Sequence, residues 1–213
     1  MRAHARGARR RPRGPGGFTL VEVLVALGII VVLAGLAVPA VSAVRRRAQV
    51  RETGAFLERL KLALASYRND WGDAPSSRPA RVGVPSNGEN DGVEALLQAL
   101  MRRDKAGPYL VDLDPKWLTN ADGDRAPGDP PRSELTTREL QELADAWGNP
   151  LVYWHNADYD RPAAVTLPGG PGSVEAAKSP ETGTYQGLTT WQLWSAGPDG
   201  KPGTDDDLRV WGE

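Results

Sequence analysis

The sequence contains no cysteine in its 213 residues. Disulfide bridges, which hold many small exported domains together, are therefore excluded. A loop-rich exported domain without them has to be stabilised by its hydrophobic core or by a bound metal ion. Most of the 24 glycines and 18 prolines follow residue 71, so the second half of the chain is predicted to be rich in loops.

Histidine is almost as scarce, since His4 and His155 are the two in the chain. Neither belongs to a pattern that pairs a histidine with a nucleophile, and no glycine-rich phosphate loop occurs in a suitable context. The sequence therefore predicts a protein that is not an enzyme.

Acidic residues are missing from the first 17 positions, which instead hold six arginines. These are Arg2, Arg6, Arg9, Arg10, Arg11 and Arg13. If residues 1–17 are removed, 20 basic and 27 acidic side chains remain, which is a net charge of −7. Phosphate binding needs a concentrated basic face, so nucleic acid is not expected to be the main partner of such a chain.

A long apolar segment follows the arginines. Residues 18–44 carry a single charge, that of Glu22, and the 22 residues from 23 to 44 are uncharged. As a helix these would be about 33 Å long, enough to cross a hydrocarbon core of about 30 Å. The basic start is predicted to stay in the cytoplasm and the rest to be exported, although the arginines at 45–47 weaken this bias.

The start of the apolar segment matches the recognition site of type IV prepilins, with the residues Gly16-Gly17-Phe18-Thr19-Leu20-Val21-Glu22. The chain thus resembles the type IV pilin and pseudopilin superfamily, in which glycine precedes the cut, phenylalanine opens the mature chain and glutamate is its fifth residue. The resemblance implies cleavage between Gly17 and Phe18 by a prepilin peptidase, with N-methylation of Phe18. A plain signal anchor, or a signal peptide cut among the small residues 34–37, is the alternative.

Glu22 is a carboxylate near the expected membrane surface, where an unpaired charge is unfavourable. In the superfamily this glutamate pairs with the N-terminal ammonium of a neighbouring subunit and so sets the axial register of one helix against the next. The alternative is an interfacial acid that reaches for the headgroups or is protonated.

Further along, the helical pattern becomes amphipathic. An apolar stripe runs through Val50, Leu57, Leu60, Leu64, Tyr67 and Trp71. The stripe predicts that the helix continues from the membrane segment and ends at residues 69–75, where glycine and proline occur.

Shorter elements are predicted after it. A helix is expected from about Gly92 to Arg102 with Asp91 as its cap, and another over residues 133–143 with Thr136 or Thr137 as cap. Trp117 and Leu118 are expected to anchor their loop on the core. Three short strands are expected at about 151–154, 189–195 and 208–211.

These elements predict an α+β fold of the type IV pilin kind. A long N-terminal helix, half membrane and half amphipathic, would pack on a small three-stranded antiparallel sheet within a loop-rich domain. The expected parts are a basic leader over residues 1–17, a transmembrane and filament-core helix over 18–44, and a periplasmic domain over 45–213.

Three further patterns sharpen the resemblance. They are Asn-x-x-x-x-Gly-Val-Glu-Ala-Leu from Asn87, Asp-x-Trp-Gly-Asn-Pro from Asp145 and Ser-x-Gly-x-Asp-Gly from Ser195. Together they resemble the major, G-type pseudopilin of type II secretion systems, with two extra excursions at about 104–143 and 156–187. A subunit of a type IV pilus or DNA-uptake pilus is the alternative filament protein. A membrane-anchored periplasmic enzyme or binding protein is the alternative from another class.

The resemblance implies a filament subunit that works in protein export across the outer membrane. Its partners would be copies of itself, minor pseudopilins, the prepilin peptidase, an inner-membrane platform and, before assembly, membrane lipid. The chain would start as a single-pass inner-membrane protein with a cytoplasmic N-terminus and a periplasmic domain, and would then enter the pseudopilus.

The loop after the second strand holds four carboxylates within residues 199–207, interleaved with glycines. Ca²⁺ takes roughly six to eight oxygen ligands, and no histidine or cysteine lies nearby to favour zinc. In the major pseudopilins the corresponding loop binds calcium. The resemblance implies ligands from the side chains of Asp199, Asp206 and Asp207, the carbonyl of Ala196 and an oxygen of Thr204, with Asp205 as the alternative in a shifted register. A solvated acidic loop is the alternative to a metal site.

A second acidic group lies at residues 120–124, Asn120-Ala121-Asp122-Gly123-Asp124. Like the loop, it could hold a metal ion. A solvated turn is the preferred interpretation.

Overall fold

The computed structural model describes residues 17–126, 137–167 and 170–212, and for residues 36–40 it describes the backbone alone. The predicted leader up to Gly16 and the cap candidate Thr136 lie outside these residues. The chain divides into two units, Met1–Arg45 and Arg46–Glu213. Helix α1, Leu20–Trp71, begins in the first unit and ends in the second, and it is 52 residues long.

In the first unit the apolar side chains of α1 that the structure describes are exposed. Leu24, Ile30 and Val31 leave 66%, 59% and 70% of their surfaces accessible. Among the residues described, no helix combines the length and the apolar character needed to cross a membrane. The predicted single membrane span is therefore not confirmed and stays a prediction.

In the second unit α1 is amphipathic and lines the main core. Leu57, Leu60 and Leu64 from the predicted stripe are all at most 1% exposed. The helix ends at Trp71 because Gly72 adopts a φ of +82°, a left-handed conformation that glycine reaches without steric strain. The predicted stripe and the predicted end of the helix are both confirmed.

Two shorter helices follow, α2 (Pro79–Val82) and α3 (Asp91–Met101). The helix predicted over residues 92–102 is thus confirmed, but the prediction that Asp91 caps it is wrong. The residue before the helix is Asn90, which has a φ of +52° and makes no side-chain cap. Asp91 is the first helical residue, and its carboxylate accepts a hydrogen bond of 2.7 Å from the Ser86 hydroxyl.

The described residues contain seven strands, which pair into one three-stranded and two two-stranded antiparallel sheets. They are β1 (Leu118–Thr119), β2 (Glu142–Leu143), β3 (Val152–His155), β4 (Ala163–Leu167), β5 (Gly170–Val174), β6 (Trp191–Ser195) and β7 (Leu208–Trp211). The three-stranded sheet has the order β3–β6–β7 and confirms the three predicted strands. All five side chains of β6 are buried, so both faces of this central strand are covered.

The two small sheets lie in the two excursions. Strand β2 falls inside residues 133–143, where a helix was expected, and the described part of that range, 137–143, contains no helix. The helix prediction is wrong there because the backbone pairs with distant residues. Leu143 lies opposite Leu118, and the Leu143 carbonyl accepts a hydrogen bond of 2.8 Å from the Leu151 N–H.

The core of the second unit has two main parts, one on each face of the three-stranded sheet. In the part that contains α1, the ring of Trp117 stacks on Phe56 at a centroid distance of 4.1 Å. This contact confirms that Trp117 anchors the first excursion. In the other part Trp154 and Trp194 stack at 5.2 Å under strands β4 and β5.

Candidate functional site

The predicted processing site lies just before helix α1. Gly17, Phe18 and Thr19 have no regular structure, and Phe18 is 86% exposed. Apart from its chain neighbours, no atom of the described residues comes within 4 Å of the place where a Cβ on Gly17 would be. Cleavage after Gly17 and methylation of Phe18 stay predictions.

Thr19 and Glu22 form a reciprocal cap at the start of α1. The Glu22 carboxylate accepts hydrogen bonds from the Thr19 N–H at 2.8 Å and from the Thr19 hydroxyl at 2.9 Å. The Glu22 N–H in turn donates to the Thr19 hydroxyl at 3.2 Å. This is the capping box of a threonine followed three residues later by a glutamate, and the spacing is visible in the sequence although we did not predict it. Glu22 therefore stabilises its own helix in addition to any contact with a neighbour.

The second predicted site is the acidic loop between β6 and β7, residues 196–207. Asp206 accepts a hydrogen bond of 2.5 Å from the Thr204 hydroxyl and lies 3.4 Å from the Arg46 guanidinium. The Thr204 hydroxyl is the main cause that holds the pKa of Asp206 below its ordinary value, and Arg46 adds to it. Asp199 and Asp205 are exposed, and Asp199 accepts from the Lys201 N–H at 2.8 Å.

Asp207 is the most enclosed carboxylate of this loop. Its side chain is 1% exposed, and Oδ2 accepts hydrogen bonds from the Gly203 N–H at 2.8 Å and from Arg209 at 2.5 Å. The other oxygen, Oδ1, is buried, and none of the described residues forms a hydrogen bond with it. A buried acceptor with no donor is unfavourable unless a cation or water reaches it. Asp207 therefore fits the predicted ligand set through Oδ1.

A close backbone approach closes the loop. Gly197 has a φ of +64°, and a Cβ on it would lie 2.3 Å from the carbonyl oxygen of Asp206. Any larger residue would push the two strand ends apart, so glycine is required both by conformation and by space. This approach places Ala196, the neighbour of Gly197, beside the backbone of Asp206. The loop does not, however, bring three carboxylates of the described residues together within 4.8 Å.

The Asp-x-Trp-Gly-Asn-Pro pattern anchors this loop, a role that the sequence did not indicate. Asp145 is 1% exposed and accepts hydrogen bonds from the N–H groups of Trp147 and Asn149, both at 2.9 Å. The Ser195 hydroxyl donates to the same carboxylate at 2.6 Å, and the Asn149 amide donates to the Gly197 carbonyl at 3.3 Å. The aspartate turn therefore fixes the residues that lead into the acidic loop.

The acidic group at residues 120–124 is not the solvated turn that was preferred from the sequence. Asn120, Asp122 and Asp124 are half-buried. Oxygens of Asp122, Glu94 and Glu142 lie within 4.8 Å of one another. Sequence reasoning missed Glu94 and Glu142 because they are far from the turn in sequence.

Comparison with known proteins supports the prediction from the N-terminus. Residues 13–38 match the family model described as the prokaryotic N-terminal methylation motif. The chain is 28% identical to the type II secretion system core protein G of Escherichia coli (strain K12), over 92% of this chain and 90% of that protein.

The similarity to pilins is shorter. The type IV major pilin protein PilE1 of Neisseria gonorrhoeae is 37% identical over 71 residues, which is 33% of each chain. The fimbrial protein of Neisseria meningitidis serogroup A is also 37% identical over 71 residues, 33% of this chain and 41% of that protein. No solved structure matches the chain. The chain therefore carries the prokaryotic N-terminal methylation motif and is similar, across most of its length, to the core protein G of type II secretion.

Proposed function

We propose that this chain is a structural filament subunit, the major pseudopilin, of a type II secretion pseudopilus that drives protein export. The similarity to a type II secretion core protein G over 92% of the chain carries the proposal. The methylation motif at residues 13–38 supports it. A protein of this kind acts by assembling, so its important residues are those that process, orient and stabilise the subunit.

The N-terminal residues support processing before assembly. Phe18 is exposed and precedes the first turn of α1, so the bond between Gly17 and Phe18 is accessible to a peptidase. Gly17 has no side chain and lets the peptide enter a narrow site in an extended form. The inner-membrane location, with a cytoplasmic leader and a periplasmic domain, belongs to the same proposal.

The exposed apolar side chains of α1 in the first unit support assembly. An apolar surface of this extent is stable in contact with lipid or with other apolar helices. Assembly would exchange the first environment for the second, with repeated contacts between copies that do not close into a ring and therefore give a filament. Glu22 would guide the register by pairing with the amine of a neighbour.

Calcium binding by the acidic loop is part of this proposal. Asp199, Asp206 and Asp207, with the carbonyl of Ala196 and an oxygen of Thr204, would hold the ion, and Asp205 is the alternative. The buried, unpartnered Oδ1 of Asp207 supports a cation there. The ion would neutralise the consecutive carboxylates and replace the cross-link that a cysteine-free domain cannot form.

A subunit of a type IV pilus is the second candidate, because the two pilins match the chain at 37% identity. Those matches cover 33% of the chain, whereas the similarity to core protein G covers 92% of it. An enzymatic function is not part of the proposal.

Expression of the full chain with a prepilin peptidase tests the proposal. Mass spectrometry of the mature protein should find Phe18 as an N-methylated first residue, and sheared filaments should contain the chain. In a strain whose own major pseudopilin gene is deleted, the chain should restore secretion. Surface pili without secretion would favour the pilus subunit, and an intact leader would refute the prepilin assignment.

A further inference from the structure

Five carboxylates from three separate segments meet beside helix α3. We name them the acidic cluster: Asp91, Glu94, Asp122, Asp124 and Glu142. Asp91 and Glu94 lie on the first turn of α3, Glu142 lies on β2, and the other two belong to the turn that follows β1. Oxygens of Glu94, Asp122 and Glu142 lie within 4.8 Å of one another, close enough to share one cation.

Glu94 is a buried member of the acidic cluster. The residue is 1% exposed, and neither Oε1 nor Oε2 has a hydrogen-bond partner among the residues that the structure describes. Burial is the main cause that raises the pKa of Glu94 to about 9, followed by the charges of Asp124, Asp122, Glu142 and Asp91. Every charged neighbour that shifts this pKa is itself acidic. A buried carboxylate in these surroundings needs either a proton or a cation.

Three more buried oxygens of this region have no hydrogen-bond donor in the described part of the chain. They are Oδ1 of Asp91, Oδ1 of Asn120 and Oδ1 of Asp124. Together with the two oxygens of Glu94 they make five of the seven buried side-chain atoms without a partner in the described residues. All five are acceptors, so a proton on Glu94 alone would leave most of them unsatisfied. A cation could serve several at once.

Other groups hold the cluster in place. Glu142 accepts a hydrogen bond of 2.9 Å from the Asn90 amide. The Ala121 N–H also donates to Oε1 and Oε2 of Glu142, at 3.3 and 3.2 Å. The Asn120 amide donates to the Asp124 carbonyl at 3.0 Å, which orients the amide oxygen of Asn120. Outer hydrogen bonds of this kind are what fixes the ligands of a metal site.

The donor set identifies the class of ion. The cluster offers carboxylate oxygens, and the adjacent Asn120 adds one amide oxygen. Oxygen sets of this kind suit hard divalent cations. Ca²⁺ accepts irregular geometry and carboxylates that bind through one or both oxygens, so a set drawn from a helix, a strand and a turn suits it better than Mg²⁺.

We propose that the acidic cluster is a buried calcium site, with Glu94, Asp122 and Glu142 as its central ligands and Asp124 and Asn120 at its edge. The ion would tie α3 to β2 and to the 120–124 turn. It would fix the first excursion on the domain in addition to the Trp117 contact. The site is separate from the acidic loop between β6 and β7, and it does not depend on the role of the chain in secretion.

Calcium binding by the full chain in detergent tests the site. After treatment with a chelator, equilibrium dialysis with radioactive calcium should count the bound ions in the wild type, in Glu94→Gln and in Asp206→Asn. Glu94→Gln should lose one ion, while Asp206→Asn should keep that ion whether or not the acidic loop binds another. Loss of a direct ligand should weaken binding by more than the roughly 10- to 100-fold expected for an outer-shell partner.

Thermal unfolding controls for misfolding. Glutamine has nearly the shape of a protonated glutamate, so Glu94→Gln in chelator should melt at or above the temperature of the metal-free wild type. Calcium should raise the melting temperature of the wild type more than that of Glu94→Gln. If Glu94→Gln binds as many ions as the wild type and shows the same calcium shift, Glu94 is simply a protonated core residue and the proposal is refuted.

Discussion

The carboxylate of Asp145 accepts a hydrogen bond of 2.6 Å from the hydroxyl of Ser195, a residue 50 positions further along the chain. The same carboxylate binds two N–H groups of its own turn, so it joins the Asp-x-Trp-Gly-Asn-Pro segment to the end of strand β6. Asp145→Ala should lower the free energy of unfolding by about 3–5 kcal/mol, because it leaves several buried donors without an acceptor.

Urea unfolding of the full chain in detergent measures this loss. The exposed Glu181 provides the matched control, and Glu181→Ala should change the free energy by less than about 0.5 kcal/mol. Equal effects of the two substitutions would show that Asp145 does not support the fold.

Substitutions at the start of α1 should separate the two roles of Glu22. Glu22→Gln keeps an oxygen that can accept from Thr19 but removes the charge, whereas Glu22→Ala removes both. If pairing with a neighbouring amine sets the register, both variants should enter the membrane yet fail to enter sheared filaments. Thr19→Ala removes the hydroxyl of the cap, at a local loss of about 1 kcal/mol, and should still assemble.

The comparison among these three variants is decisive for the register prediction. Immunoblots of the membrane and sheared fractions give the share of each variant in filaments. Normal assembly of Glu22→Gln together with failure of Thr19→Ala would mean that the cap, and not the charge, is what filament growth requires.

Calcium should stabilise the chain through the acidic loop between β6 and β7. At about 100 times the dissociation constant, a bound ion adds about 2.7 kcal/mol, which corresponds to a rise in melting temperature of roughly 5–10 °C for a chain of this size. Measured in the Glu94→Gln background, Asp206→Asn should reduce that rise, and Glu181→Gln should leave it unchanged. Identical melting in calcium and in chelator would exclude a structural ion in this loop.

A partly buried ion pair, Arg78–Asp158, should make part of the stability sensitive to acid. Burial alone would raise the pKa of Asp158, but the Arg78 guanidinium and the Ser77 hydroxyl bind its carboxylate and hold the pKa below the ordinary value. A lowered pKa in the folded state stabilises the fold above the unfolded pKa of about 3.9, and the contribution is lost as the pH falls through the folded value.

The wild type should therefore be more stable than Asp158→Asn at pH 7, and the difference should shrink below about pH 4. Thermal unfolding in chelator across this range measures it, with the exposed Asp160→Asn as control. A difference that stays constant down to pH 3 would mean that the charge of Asp158 does not contribute.

The sequence predicted those helices, strands and motifs whose determining residues lie close together in the chain. The stripe through Leu57, Leu60 and Leu64 is buried as expected, and Gly72 ends the helix where the Gly and Pro signals lie. The three strands of the main sheet were also predicted, because each is a short apolar or aromatic run between turn residues. The methylation motif was visible because all of its residues are adjacent in the sequence.

Features built from distant residues were missed. The two residues of β2 are a strand because Leu143 lies opposite Leu118, and no periodic pattern of two residues can show that. Asp91 was expected to be a cap by its residue type, but Asn90 occupies the position before the helix and its amide is used by Glu142. The acidic cluster joins three segments of the chain, so a turn that looks solvated in the sequence is half-buried in the fold.

The cap between Thr19 and Glu22 bears on how a filament could grow. Both hydrogen bonds from Thr19 are accepted by Oε2 of Glu22, so an incoming amine would meet a carboxylate in which one oxygen is already in use. If pairing with a neighbouring amine guides docking, the net attraction would be the amine contact minus any hydrogen bond to Thr19 that it displaces, which is weaker than an ion pair formed with a carboxylate that has no other partner. A contact of that strength would form and dissociate repeatedly. A misplaced subunit could therefore shift along its neighbour until the register is right.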